Sequence, residues 1–374
     1  MDNKIAYIDH YNKIIEVMSQ EKFTNLPDSE VEILFSELLQ CLPNNGKLYK
    51  YRNFLNNKHS FDYTYRSLAE GYIWFADAKT MNDKVDVTLN VDLSKEKIRL
   101  EKFFQEHKEE LLIKWLKEFF RINKISNSLL DDNFREIINC YTKEGRIVKS
   151  RIRDLLRSNG VSYKQIDITL KNVATFVEQR CVEYEPYAKT LVEKFISTAH
   201  KTREDLKLFC IAEKPTIESM WAYYGNDSNG FCIEYDFTKA AKYGCNIKKI
   251  LLNLFKVEYK KKKPSYSMVD ILEELISNHS MDIENKTKIN KNIFAQMLTK
   301  NSDWKHEQEW RIVANLPFNQ FNIDLVSAIY IDESMINTPK AKKLIRLSKQ
   351  KGWKIIERKL SITKSSFVYK NVEY

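Results

Sequence analysis

Glycine, proline, cysteine and histidine are all scarce, with 8, 7, 6 and 6 positions in 374 residues. Neither GxxxxGK[ST] nor GxGxxG occurs, so a P-loop or Rossmann nucleotide site is not expected. The cysteines at 41, 140, 181, 210, 232 and 245 stand apart, with no CxxC pair and no histidine at ligand spacing. That scatter argues against disulfides and structural zinc. No run of about 18 uncharged apolar residues is present, and "MDNKIAYIDHYNKIIEVM" lacks a cationic leader followed by an apolar stretch. A cytoplasmic protein without membrane contact is the expectation.

What is abundant is apolar and basic. A hydrophobic content of 43% with 12% aromatics is enough for one large core or two ordinary ones. Lys+Arg 61 against Asp+Glu 51 leaves a formal charge of +10, which favours polyanions such as nucleic acid or nucleotide phosphates without selecting one.

Texture divides the chain into three parts. Residues 1–43 read as two helices, the second being "DSEVEILFSELLQCL". Residues 44–92 and 204–374 mix strands with helices: "GKLYKYRNF", a strand at Tyr72–Phe75, "LKLFCIA", "GFCIEYDF", "KKILLNLFKVEY", "EWRIVANL", "DLVSAIYID" and "WKIIERKL", with helices over 267–277, 283–299 and 339–350. Residues 93–203 have apolar positions recurring at three and four, as an all-helical insert would. Strand blocks flanking a helical excursion predict an α+β fold with one sheet system and an inserted helical region available for protein contacts.

Several stretches carry chemistry. Arg52 ends the strand "LYKYR" and Arg66 follows in the next helix; either can clamp a phosphate or cover a sheet edge. "NDKVD" gathers Asn82, Asp83 and Asp86, a weak oxygen-ligand set that reads better as a polar turn. In "ESMWAYYGNDSNGFCIEYD", Trp221, Tyr223 and Tyr224 crowd beside a turn, as a stacking platform or as helix-to-sheet packing. If 307–313 is a strand, Glu307, Glu309 and Arg311 share one face and Gln308, Trp310 and Ile312 the other, so that the carboxylates form either a solvated ladder or a catalytic pair.

In this order, Leu48–Arg52, Ile73–Asp86, Met220–Asp236, Val257–Tyr259 and Trp304–Arg311 resemble a bacterial family of uncharacterised domains. The resemblance runs over about 44–90 and 205–335, with Ala76 where that family has serine and Lys84 where it has proline. A weaker resemblance is to the ADP-ribosyltransferase superfamily, through a strand-end arginine, an aromatic-lined segment and a late Glu-x-Glu. It implies a split antiparallel or mixed sheet and NAD as substrate. In that reading Glu309 stabilises the oxocarbenium ion, Glu307 serves the acceptor, and Arg52 holds the pyrophosphate. Tyr223 or Tyr224, beside Trp221, sandwiches the nicotinamide, and Ser219 takes the middle serine position. The acceptor, whether protein, nucleic acid or water, stays open, and a toxin or phage-defence role is implied by the kind of bacterial protein resembled. Two alternatives remain: a Mg²⁺-dependent nuclease built on Asp236, Glu258 and Lys260, and a non-enzymatic basic module binding nucleic acid or protein.

Overall fold

The computed structural model describes residues 3–19, 25–55, 60–81, 90–107, 206–265, 283–361 and 365–372, with isolated positions and short runs between them. Most of the helical insert expected over 93–203, and the helix expected over 267–277, lie outside the described residues. The chain forms two compact units, Met1–Asn90 with His200–Pro264 and Lys286–Tyr374, and Val91–Ala199 with Ser265–Asn285. In the second unit the helix Leu93–Glu106 is capped by Asp92, whose side chain accepts from Lys95 N, and buries Leu100 and Phe103.

The first unit is a mixed α/β structure. Its strands are β1 (Lys47–Asn53), β2 (Ile73–Trp74), β3 (Ala76–Asp77), β4 (Lys207–Ala212), β5 (Gly230–Asp236), β6 (Leu254–Lys256), β7 (Glu258–Lys260), β8 (Thr299–Asn301), β9 (Glu309–Ala314), β10 (Gln320–Phe321), β11 (Val326–Asp332), β12 (Lys354–Ser361) and β13 (Ser366–Val372). The main sheet runs β13-β12-β11-β5-β1-β4-β9-β6, with β3 beside β4, while β10 pairs with β2 and β7 with β8. Neighbours in the main sheet are antiparallel except β11 and β12. β5 is buried along nearly its whole length, as suits a central strand covered on both faces.

Alternation sorts the side chains onto two faces. Leu48, Phe209, Phe231, Ile233, Trp310 and Ile312 enter the larger core, whereas Tyr49, Tyr51, Cys232 and Tyr330 pack with Trp221 in a smaller one. Each fully buried Phe or Ile on the larger face contributes about 1.5–3 kcal/mol. The N-terminal helices Asn3–Ser19 and Asp28–Cys41 belong to this core: Tyr7 sets its ring edge-on to Trp310 at 5.2 Å, and Tyr11 meets Phe255 at 5.6 Å. Thr338 caps the helix Pro339–Lys351, and Gly352 closes it at φ 68°.

Two elements differ from expectation. "KKIL" ends the helix Cys245–Leu251 rather than starting a strand, and the strand begins only at Leu254. Lys248 is buried against Glu32 and Leu251 enters the core, a spacing of three that suits a helical face. Residues 307–313 are likewise not one strand. Glu307 ends a 3₁₀ turn over Ser302–Glu307, Gln308 takes a left-handed conformation at φ 46°, and β9 starts at Glu309.

One seam in the sheet is incomplete. β1 pairs with β5 at every residue from Lys47 to Asn53 and β4 with β9 from Lys207 to Ala212, but β1 and β4 meet only at Tyr49 opposite Ala212. Beyond that point the two central strands part.

Candidate active site

A cavity of about 200 Å³ opens where β1 and β4 separate. Strand parity puts Lys50 and Arg52 on the face opposite Tyr49, Ala212 and Glu309, yet all of them line this cavity, so it passes through the seam. The Lys50 ammonium donates to the Cys210 carbonyl at 2.6 Å and lies 4.5 Å from the centre of the Phe209 ring, occupying part of the place a ladder bond would take.

The acidic wall comes from three segments. Glu307 and Glu309 follow one another across the left-handed Gln308, Lys300 lies on β8 opposite Tyr259 of β7, and Asp86 is contributed from the loop after β3. Lys300 Nζ reaches Glu307 Oε2 at 2.6 Å, Glu309 Oε2 at 3.2 Å and Asp86 Oδ2 at 3.8 Å. Arg311 grips Asp86 with Nη1 and Nη2, both at 3.1 Å, donates from Nε to Glu309 Oε1 at 3.0 Å, and from Nη1 to the Met297 carbonyl at 2.9 Å. The Tyr224 hydroxyl donates to Glu307 Oε1 at 2.8 Å, and the Glu309 amide donates to the Tyr259 hydroxyl at 2.8 Å.

Of the two expected readings, a solvated ladder or a catalytic pair, the solvated ladder is therefore corrected. Glu307 is 3% exposed, Glu309 4% and Arg311 0%, with Lys300 of β8, Tyr259 of β7 and Asp86 in contact with that face of β9. Charges so buried persist only when paired, and Lys300 and Arg311 supply the pairing. Three carboxylates share two cations, so the wall carries one negative charge in excess when all are ionised.

The two glutamates differ in acidity. Burial alone would raise Glu309, but Arg311 and Lys300 outweigh it and hold the carboxyl at about 2. Glu307 goes the other way, raised by burial and by the neighbouring Glu309 charge against the pull of Lys300. Two carboxyl groups pushed apart in this way are suited to separate tasks, one staying ionised and the other exchanging a proton.

Two further basic side chains, Lys50 and Arg52, line the cavity. Among the described residues the Arg52 guanidinium has neither a carboxylate nor a hydrogen-bond partner. Burial and Arg52 together bring the Lys50 ammonium down to about 7. Arg52, joined by Lys50 while the latter is protonated, offers positive charge to an anion.

Arg52 also lines a second, outer cleft of about 850 Å³, together with Lys50, Tyr51, Trp74 and Tyr224, which belong to both spaces. Tyr223 and Arg66 line only the outer cleft, where Tyr223 is 70% exposed and Arg66 pairs with Glu70 at 2.8 Å. Glu309, Glu307, Arg52 and Tyr224 thus share the inner cavity, and Tyr223 lines the neighbouring cleft. Trp221 does not reach either space. It is fully buried, its indole N–H donates to the Pro215 carbonyl at 2.8 Å, and Tyr51 and Arg358 pack on it. Ser219 lines neither space, in the first turn of the helix Glu218–Tyr223.

The nuclease triad is not assembled. Asp236 caps the turn after β5 by accepting from Thr238 N at 3.0 Å, whereas Glu258 and Lys260 pair with each other at 2.7 Å on β7. In the "NDKVD" loop, Asn82 lies outside the described residues, Asp83 lines the inner cavity, and Asp86 closes the expected turn with its amide on the Asp83 carbonyl at 3.1 Å while giving its carboxylate to Arg311. Among the described residues no group of three or more His, Cys, Asp or Glu side chains is placed to hold a metal ion.

Sequence reasoning passed over Lys50, Lys300 and Tyr259. Lys50 was findable, since a residue two before Arg52 on a strand shares its face. Lys300 follows an amphipathic helix with no local mark of its role.

Residues 220–312 match the model of a family described as a protein of unknown function (DUF2971). The matched segment is similar to that family over β5 to β9 and includes Tyr224, Lys300, Glu307 and Glu309. No curated protein and no solved structure matches the chain. Among the described residues no helix is long and apolar enough to cross a membrane.

Proposed function

We propose that the cavity is the active site of an NAD-consuming enzyme of the ADP-ribosyltransferase kind, cleaving the nicotinamide–ribose bond. The observation that carries this reading is the mixed lining of the cavity, in which Arg52 and Lys50, neither ion-paired with a carboxylate among the described residues, share one space with three buried carboxylates held by two cations. NAD carries both signs of charge, an anionic pyrophosphate joined to a cationic nicotinamide ribose, and a lining with both signs can complement it. The parting of β1 and β4 supports the split sheet such an enzyme would use.

Arg52 and Lys50 hold the pyrophosphate, and Tyr224 with Trp74 provides ring faces beside the nicotinamide. Breaking the C1′–N bond leaves its electron pair on the nicotinamide nitrogen and positive charge on the ribose. Glu309, ionised throughout, stabilises that charge, and Arg311 and Lys300 fix its carboxylate in place before the reaction. Glu307 takes the proton of the incoming nucleophile, for which its raised pKa suits it.

The test is nicotinamide release on incubation with NAD. The wild-type protein is expected to release it without added metal, and Arg52→Gln to raise KM for NAD at least tenfold. Intact NAD after prolonged incubation with folded protein refutes the reading.

A further inference from the structure

Arg358 of β12 lines neither the inner cavity nor the outer cleft, and it is 1% exposed. Its Nη1 donates to Asp332 and to Ser228 Oγ at 2.9 Å, its Nη2 donates to Glu218, and its guanidinium lies 4.7 Å from the centre of the Trp221 ring and 3.3 Å from that of Phe367. Asp332 and Phe367 belong to the flanking strands β11 and β13. Glu218, Trp221 and Ser228 instead belong to one segment, the helix Glu218–Tyr223 and the turn after it. Arg358 therefore holds that segment at its start, its middle and its end. Only a planar fork stacks on a ring while donating in two directions.

The segment is one that needs holding. Asn226, Asp227 and Ser228 have φ of 50°, 51° and 69°, a run of left-handed residues without glycine, and such backbone persists only where its surroundings over-determine it. Asp227 N donates to the Ala222 carbonyl at 3.1 Å and Ser228 N to the Trp221 carbonyl at 3.4 Å, which folds the turn back on the helix. Tyr224 stands between the two held ends, and its hydroxyl donates to Glu307 Oε1 at 2.8 Å. Glu307 also faces Lys300 of β8, Glu309 of β9 and Tyr259 of β7. None of those three belongs to the clamped segment.

We infer that Arg358 is a positioning residue for the site: by clamping residues 218–228 from outside the cavity it sets the Tyr224 hydroxyl on Glu307 and so orients that carboxylate. The inference rests on the reading of Glu307 as the group that takes the nucleophile's proton. Arg358 touches no reacting atom. Its influence passes through Tyr224, whose hydroxyl bond favours the ionised carboxylate against burial and the Glu309 charge. Loss of the clamp must therefore make Glu307 hold its proton more firmly.

The test reads Glu307 itself, in the full chain with carbon-13 in its glutamate carboxyls and the Glu307 signal assigned by its loss in Glu307→Gln. Tyr224→Phe and Arg358→Met are each expected to raise the pH at which Glu307 titrates. Arg358→Met/Tyr224→Phe should go no higher than Tyr224→Phe alone, because both changes remove the same hydrogen bond. The acid limb of nicotinamide release should move to higher pH with the titration. An arginine that only stabilises the fold would lower Tm and leave this titration in place. Should Arg358→Met fail to fold, Glu218→Ala/Ser228→Ala removes two of the clamped groups, and because the Glu218 side chain is 54% exposed the fold withstands its loss. The same upward shift is expected there. An unchanged Glu307 titration in folded Arg358→Met, or in Glu218→Ala/Ser228→Ala where Arg358→Met does not fold, overturns the inference, and so does a shift in Arg358→Met/Tyr224→Phe that equals the sum of the two. A raised titration in protein that releases no nicotinamide supports the clamp and refutes the NAD reading alone.

Discussion

Glu309 and Glu307 stand two residues apart and should answer the same substitution differently. Glu309→Gln removes the charge that Arg311 and Lys300 surround, so it should cost about 3 kcal/mol of stability as well as lowering nicotinamide release about a hundredfold or more. Glu307→Gln should cost less stability, since that carboxyl already holds its proton more firmly, and should impair transfer more than NAD hydrolysis. Thermal melts beside activity separate the two losses, and equal, silent mutants would return the pair to a structural ladder. The acid dependence follows from the same group. Folded Glu309 titrates near 2 against an ordinary 4.5, so the folded state binds this proton less tightly than the unfolded chain. Its stabilisation is therefore full above about 4.5 and is lost as pH falls towards 2. Urea unfolding at several pH values across that window should show wild-type stability dropping more steeply than that of Glu309→Gln, which keeps only the acid dependence of other carboxylates such as Asp77 and Glu234. Lys50 has the opposite relation to pH. Its folded value near 7 lies below the ordinary 10.5, so above pH 7 it loses the charge that would hold a pyrophosphate. KM for NAD should rise as pH passes 7, and Lys50→Arg should flatten that rise.

At the scale of elements, the turn between the helix Glu218–Tyr223 and β5 sets the width of the site. Asn226, Asp227 and Ser228 all have positive φ, and a Cβ on Gly230 would lie 2.3 Å from the Arg52 carbonyl and 2.7 Å from Gly225 Cα. Gly230→Ala must push β1 away from β5, which moves Arg52 directly; raised KM for NAD and a lower Tm are expected together, and an unaltered variant would contradict the close approach. The strands "LYKYR" and "EWRIV" were legible from their alternation, and so was the joint face of Glu309 and Arg311. Burial of that face was not legible. It depends on β7 pairing with β8, which sets Tyr259 beside Lys300, and on Asp86 arriving from far earlier in the chain. Local pattern likewise misled at 248–251, where an apolar run fits strand or helix equally and Lys248 finds its partner Glu32 only in the folded protein.

At the scale of the molecule, the site is built from both ends of the chain. Arg52 and Asp86 precede residue 90, whereas Lys300, Glu307 and Glu309 follow residue 286, and both blocks belong to one compact unit. β1 sits in the middle of the main sheet and pairs with β5 along its full length, so its removal exposes the edges of two central strands at once. The segment 220–312, over which the family match runs, contains β5, β6 and β9 but neither β1 nor β4, the strands between β5 and β9 in the sheet. It therefore cannot close this sheet alone, and the inner cavity would lack the wall bearing Lys50 and Arg52. A fragment spanning 204–374 should fail to melt cooperatively by circular dichroism. Co-expression with a fragment spanning 1–92, which brings β1, Arg52 and Asp86, should restore a cooperative transition and nicotinamide release together, since one strand completes both the sheet and the basic lining of the cavity. A cooperative melt from 204–374 alone would mean that β4 and β5 find another pairing without β1.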